Sequence, residues 1–449
     1  MGVIKHNRNM KGEGGQFGSA IANKSMDNMA QRELNKIRSS FSFRLGTLIT
    51  NSFKRPWLIP LMPFRLIFLF KQVLLSAEED YREKELPARL CALFFSSHPA
   101  QSYEFYKTLA IAKRMKLMKP KLEVVFFTTY PDGLGLLENE GFSVYSIPHK
   151  KSYEGMGSKT WNSMIEKSLE VALRVHKPYL FLFDGQFPYR GMLNTFHFNQ
   201  QMMKVWLNID IFSVKEGRLP VESINLFDAV IQPKDILKID DDFDFGFNSD
   251  VVICDPIFNK DIEDTVPKIE ARKKYGIGNG KLFGLIDLQT GDVNSEISNI
   301  GKCLSVLGEM DGVNLFINRK EEHIEEPNLR SKTQFQEGSL DEIYLNAFDF
   351  AVISGKYQSI HDTMRHYIPT LCVPDSKIKG EREIERATIA AENNFTIMLE
   401  KPHNRQLKAA LERLTNQNVR KEMAKAAKTQ SFENGSYQAA RWLLNQLPK

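Results

Sequence analysis

Apolar residues in this chain gather into short unbroken runs, and between the runs they recur at helical spacing instead of alternating. Runs at Leu90 to Ser96, Leu122 to Thr129, Phe142 to Ile147, Tyr179 to Asp184, Met203 to Asn208, Ala229 to Gln232 and Val251 to Cys254 read as buried strands. The stretches Ser102 to Leu117 and Lys159 to Val175 read as helices with one polar face. A second series follows at Leu282 to Asp287, Val313 to Ile317, Phe350 to Ile353, Thr370 to Val373 and Phe395 to Leu399, and three helical stretches close the chain after Asn404. Strands apolar on both faces and separated by helices predict parallel sheets covered on both sides. Residues 257–281 turn charged and turn-rich, with Pro267 and the run Gly276 to Gly280, and predict a linker. The expected fold is therefore α/β, two Rossmann-like domains at 81–256 and 282–449.

The most informative stretch runs from Phe348 to Pro374: a strand, a turn at Ser354 and Gly355, a helix on which Ile360, Met364 and Tyr367 share a face, and a second strand after Pro369. Such a βαβ unit binds ligands at the carboxyl ends of its strands, where Gly355 to Asp362 lie. Two readings of this turn stand side by side. Ser359 and Asp362 fit a capping box that satisfies its own helix start, or the turn amides and Ser359 hold a pyrophosphate while Asp362 accepts from a ribose.

Composition adds little to this for most of the chain and much at its start. With 449 residues, 42% hydrophobic and 26% charged, the chain can fill two cores. Cys91, Cys254, Cys303 and Cys372 are scattered without CxxC spacing, which predicts buried reduced thiols and no metal site. Residues 1–75 hold twelve Lys or Arg against three acids, a net +9 that leaves −4 for the remainder of a chain whose total is +5. Residues 1–35 have no apolar period and read as a disordered tail. Residues 36–80 are basic and apolar, but Pro56, Pro60 and Pro63 leave only Phe64 to Leu75 uninterrupted, roughly 18 Å of helix, too short to span a bilayer. This extension is expected either to lie in the plane of an anionic membrane surface through residues 36–75 or to pack on the first domain. No part of the charge pattern points to nucleic acid, and the absence of an early G-x-G-x-x-G argues against a dinucleotide cofactor.

Further candidate chemistry sits at strand ends. The turn after Asp287 contains Gly291, with Asn294 or Ser295 able to cap the next helix and offer amides to an anion. In GEREIERA, Glu381 and Glu383 suit a positive helix start, or hydrogen-bond sugar hydroxyls. His98 and Asp184 each follow a buried strand of the first half, either as packing residues or as bases facing the cleft.

These residues carry a resemblance. The chain is similar to GT-B glycosyltransferases, and from about Leu282 to Leu447 it resembles the carboxyl-terminal domain of glycosyltransferase family 28, the peptidoglycan N-acetylglucosaminyltransferase type. Gly355, Ser359 and Asp362 match the family's glycine turn, hydroxyl and acid; Pro369, Val373 and Pro374 its proline-headed strand; Glu381, Glu383, Arg386 and Ala387 its helix start ending in Arg-Ala. The first half departs, having Ser96, Ser97 and His98 where the family has a glycine-rich loop. The resemblance implies a GT-B fold and metal-independent transfer, without cofactor, of a sugar from a nucleotide sugar such as UDP-GlcNAc. The implied acceptor is a lipid-linked or surface-polysaccharide hydroxyl at the cytoplasmic membrane face. Gly291, Asn294, Gly355, Ser359, Asp362, Glu381, Glu383 and Arg386 would bind the donor, and His98 or Asp184 would deprotonate the acceptor. The alternatives are a UDP-sugar 2-epimerase of the same architecture and a non-catalytic nucleotide-sugar-binding partner of a synthesis complex.

Overall fold

The computed structural model describes residues 90–448 apart from 101, 198, 208–224, 237–249, 279, 289–292, 320–332, 337–339, 376–381 and 431. The tail 1–35, the basic apolar segment 36–80, Gly291 and Glu381 lie outside the described residues.

In the first half, strands β1 (Cys91–Ser96), β2 (Glu123–Thr128), β3 (Ser143–Ser146), β4 (Leu180–Asp184), β5 (Met203–Leu207), β6 (Ala229–Pro233) and β7 (Asp250–Cys254) form one parallel sheet in the order β3-β2-β1-β4-β5-β6-β7. Helices α1 (Tyr103–Met118), α2 (Leu134–Asn139), α3 (Ser158–His176) and α4 (Arg190–Phe196) connect them. The unbroken apolar runs have a direct cause. Alternate residues of β1 enter opposite cores: Ala92 and Phe94 pack with Phe105 and Met115 of α1, while Cys91, Leu93 and Phe95 pack with Ile165 and Leu169 of α3.

The second half repeats this plan with β8 (Leu282–Asp287), β9 (Val313–Ile317), β10 (Thr333–Phe335), β11 (Phe350–Ile353), β12 (Thr370–Cys372) and β13 (Thr396–Met398), ordered β10-β9-β8-β11-β12-β13 and parallel throughout. Its helices are α5 (Lys268–Lys274), α6 (Val293–Leu307), α7 (Tyr357–Arg365), α8 (Glu383–Glu392), α9 (Asn404–Thr415) and α10 (Gln417–Lys428), and the chain ends on α11 (Gly435–Asn445).

Two boundaries differ from the sequence reading. The expected linker 257–281 is mostly structured, because α5 buries Ala271 in the second core and Arg272 is tied to Asp349. The crossing itself is the short stretch from Asp255 to Asp261. The last helix, expected in the domain 282–449, returns to the first half, where Ala439, Ala440 and Leu443 join the core beside α1. This return holds the crossing. Asn434 accepts from the Phe258 amide at 3.1 Å and donates to the Phe258 carbonyl at 3.1 Å and to Asp261 at 2.8 Å, and Arg114 of α1 reaches Asp261 at 2.7 Å.

Candidate functional site

Each sheet reverses its strand order once. The chain leaves β1 toward β2 and β3, then returns to add β4 on the other side; in the second sheet it leaves β8 toward β9 and β10, then returns to add β11. Helices on opposite faces part at such a point, so a crevice opens at the carboxyl ends of the two central strands. In the first half the crevice lies between Ser96 and Asp184, which are register partners. In the second it lies between Asp287 and Ile353, also register partners. The helices that leave the two crevices meet: Tyr103 at the start of α1 and Tyr357 at the start of α7 have ring centroids 5.8 Å apart. The Tyr103 hydroxyl donates to the Ile257 carbonyl at 2.8 Å and the Tyr357 hydroxyl to the Lys234 carbonyl at 2.7 Å.

The first crevice carries an ionisable pair. His98 Nε2 lies 3.6 Å from Asp184 Oδ1, with the imidazole half-buried and the carboxylate fully so. Asp184 is held from behind by the buried Lys107 ammonium at 3.2 Å and by the Thr108 hydroxyl. The loop bearing His98 is pinned to the end of β4, since the Ser97 amide and hydroxyl both donate to the Asp184 carbonyl, at 3.0 and 3.1 Å. A side chain on Gly185 would collide with this arrangement, because its Cβ would stand 2.2 Å from Ser97 Oγ. Burial lowers the His98 pKa, but the charge and hydrogen bonding of Asp184 outweigh it and leave the imidazole above its ordinary value. Burial would raise the Asp184 pKa; Lys107, His98 and Thr108 overcome it and hold the carboxyl below the ordinary range. The pair is thus an anionic orienter behind a titratable imidazole.

The second crevice is built differently. Glu383, 2% exposed, turns its carboxylate inward and accepts from the Gly355 amide at 3.1 Å and the Asp375 amide at 2.9 Å. Arg386, one helical turn on, donates to the Gly355 carbonyl at 2.9 Å. The turn is gripped from both sides, so closely that a Cβ at Gly355 would stand 2.5 Å from the Glu383 carbonyl oxygen. The other face of Arg386 forms a forked ion pair with Asp235 of the first half, at 2.9, 3.0 and 2.8 Å. Burial raises the Asp235 pKa, and the charges of Arg386 and His361 bring it below the ordinary carboxylate range. His361 stacks on Tyr357, donates from Nδ1 to the Tyr357 carbonyl at 2.7 Å, and has its pKa lowered by burial despite Asp235.

The remaining sequence candidates are less central. Helix α7 starts at Tyr357 after an extended Lys356, so Ser359 and Asp362 lie within the helix and do not cap it. Asp362 is half-buried farther along α7, and its pKa is pushed well above the carboxylate range, by desolvation first and by the Glu342 charge next. Its neighbour Arg365 donates to the Lys260 carbonyl at 2.8 Å and stacks on Phe258, which places this face against the crossing segment. Asn294 is exposed in the first turn of α6, whose buried Glu296 pairs with Arg319 at 2.6 Å. Sequence reasoning missed Lys107 and Asp235. The signal for Lys107 was a cation inside the apolar register of α1, and for Asp235 an acid just past a buried strand.

No protein-family model matches the chain, and no curated protein matches it significantly. The architecture is nonetheless a known one: two Rossmann-like domains facing each other across a cleft, the GT-B fold of glycosyltransferases. MurG of Acinetobacter baumannii superposes with a TM-score of 0.55 at 11% identity, covering 79% of this chain and 99% of that one. The glycotransferase of kitacinnamycin gives 0.59 at 13%, covering 81% and 100%, and the glycosyltransferase VinC in complex with DTDP gives 0.54 at 11%, covering 79% and 99%. At these identities the likeness establishes the fold.

Proposed function

We propose that this protein transfers a sugar from a nucleotide sugar to an acceptor hydroxyl. The observation that carries this reading is the His98–Asp184 pair at the switch point of one sheet, in a molecule whose second sheet presents its own switch point, at Gly355, across the cleft. His98 Nε2 faces Asp184, and Nδ1 has no hydrogen-bond partner among the described residues. Nδ1 takes the proton from the acceptor hydroxyl as its oxygen attacks the anomeric carbon; the bond from that carbon to the diphosphate breaks, and the nucleoside diphosphate leaves. Asp184 stabilises the imidazolium and fixes the ring. The nucleotide occupies the second crevice, between Asp287 and the Gly355 turn, with the amino-terminal ends of α6 and α7 toward the diphosphate. Closure of the two halves excludes water, which would otherwise hydrolyse the donor.

Within this reading the likeness of residues 282–447 to family 28 favours a uridine diphosphate sugar, and VinC, solved with DTDP, puts thymidine nucleotides beside it in the panel to be tested. A lipid-linked or polysaccharide acceptor, a peripheral position on the inner membrane face through residues 36–75, and transfer without a metal belong to the same proposal. Among the described residues no helix is long and apolar enough to cross a membrane.

The test is thermal stabilisation of the full chain by nucleoside diphosphates and their sugars, followed by diphosphate release with and without acceptor mixtures. Ligand at a hundred times its dissociation constant contributes about 2.7 kcal/mol, a readily measured rise in melting temperature. Stabilisation by one nucleotide class and acceptor-dependent release support transfer; epimerised donor without acceptor selects the 2-epimerase; binding with no turnover selects the non-catalytic partner. Absence of a shift with every nucleotide overturns the reading.

A further inference from the structure

At the opposite edge of the first sheet, away from both crevices, three side chains of metal-ligating type converge. We propose that Cys91, Glu123 and His176 form a zinc-binding site at the amino-terminal ends of β1 and β2. Cys91 and Glu123 are the first residues of these strands and register partners in a parallel pair, so their side chains leave the same face of the sheet. His176 is the last residue of α3, whose Ala172 and Leu173 pack into the same core as Cys91. One potential ligand atom from each residue lies within 4.8 Å of the other two.

Ligands of a tetrahedral zinc ion stand about 3.3–3.6 Å apart, so the site closes around the metal with movements of about 1 Å or less. The Glu123 carboxylate and His176 Nδ1 are already 2.9 Å apart. Thiolate, imidazole and carboxylate are a donor set that selects zinc over magnesium or calcium, and the two anions neutralise its charge. An outer partner is present as well: the Tyr145 hydroxyl lies 2.9 Å from His176 Nε2. With the metal bound, Nε2–H donates to the Tyr145 oxygen and leaves the Nδ1 lone pair for zinc, the arrangement that orients metal-binding histidines. Without it, Nδ1–H donates to Glu123 and the tyrosine donates to Nε2. Binding therefore moves the imidazole proton from one nitrogen to the other and releases the thiol proton to solvent. Cys91 is fully buried, whereas Glu123 and His176 keep 23% and 12% of their side chains exposed, which leaves one open side for entry and for a water as fourth ligand.

The experiment strips the full chain with chelator and titrates it with cobalt(II), then with zinc(II). A thiolate-to-cobalt charge-transfer band, one equivalent per chain and displaced by zinc, is expected from the wild type. The band is expected to vanish in Cys91→Ser, and Tyr145→Phe, which keeps all three ligands, should weaken zinc affinity about 10- to 100-fold. A folded wild type without the band overturns the site, leaving only a hydrogen-bonded Tyr145–His176–Glu123 chain. A band that survives in Cys91→Ser, and so arises from Cys254, Cys303 or Cys372, overturns it equally. Should Cys91→Ser fail to fold, unchanged affinity in Tyr145→Phe decides against the proposal.

Discussion

The two crevices occupy the same topological position, yet the sequence equips them in opposite ways. At the first, buried groups serve one partly exposed side chain: Lys107 and Thr108 hold Asp184, and Asp184 stands beside the His98 imidazole. At the second, the charged groups are turned inward, with Glu383 and Arg386 gripping the backbone of Gly355 and Asp235 anchoring Arg386 from the other half. A charge turned inward in this way shapes the turn on which a ligand would rest. On the proposed function, proton transfer belongs to the first crevice and the diphosphate to the main chain of the second. The difference between them also separates two kinds of failure, since damage to the first should stop chemistry in a folded protein and damage to the second should loosen the protein itself.

The largest effect is expected at His98. Replacement by Ala should lower turnover by about 10²–10⁴-fold while nucleotide stabilisation stays as in the wild type. Activity should also depend on pH in a definite sense. Asp184 raises the His98 pKa, so the imidazole is free to accept a proton only above that raised value, and the rising limb of the rate profile should lie on the alkaline side of an ordinary histidine. Near-wild-type turnover in His98→Ala, at every pH, would remove the first crevice from the chemistry.

Breaking the second crevice should appear in stability first. Arg386 and Asp235 are both nearly buried, at 6% and 9% side-chain exposure, and removing one partner strands the other charge. Arg386→Met should cost about 3–5 kcal/mol in denaturant unfolding. The double variant Arg386→Met with Asp235→Leu should recover much of that loss, because a buried ion pair replaced by apolar groups is often close to neutral. If the single variant unfolds like the wild type, the pair does not hold the halves together.

The sequence shows its strands well and its partnerships poorly, for a physical reason. A parallel strand covered on both faces must be apolar throughout, and that pattern is local; the edge strands β3 (Ser143–Ser146) and β10 (Thr333–Phe335), neither of which has a buried residue, lack it. Contacts such as Lys107 with Asp184 or Asp235 with Arg386 join residues far apart in the chain, and no periodicity announces them. The same holds for Cys91, Glu123 and His176, which share neither the spacing of a zinc motif nor a common element. Local rules also misplace residues at helix starts: Ser359 and Asp362 have capping-box spacing, but α7 already begins at Tyr357. Helix α11 has an ordinary amphipathic pattern, and only the tertiary structure shows that its apolar face belongs to the first core.

The smallest expected effect concerns Asp362, and its sign matters more than its size. Desolvation and the nearby Glu342 raise its pKa in the folded protein, so the folded state binds the proton more tightly than the unfolded chain does. A raised carboxyl destabilises the fold as pH climbs from the unfolded pKa toward the folded one, and above both values the full cost remains. Asp362→Asn removes a charge that the fold disfavours, so the variant should melt slightly above the wild type at neutral pH, with the difference vanishing in acid. Two roles for Asp362 then part company. If it accepts hydrogen bonds from a ribose, as the family resemblance implies, nucleotide stabilisation should be lost in the variant while the bare protein gains stability. If it belongs only to the surface that meets the crossing segment beside Arg365 and Lys260, the bare protein gains stability and nucleotide binding is unchanged. In the second case the ribose contact must come from elsewhere on the second crevice, with Asp287 and Asn318, 3.2 Å apart at the ends of β8 and β9, the next residues to substitute.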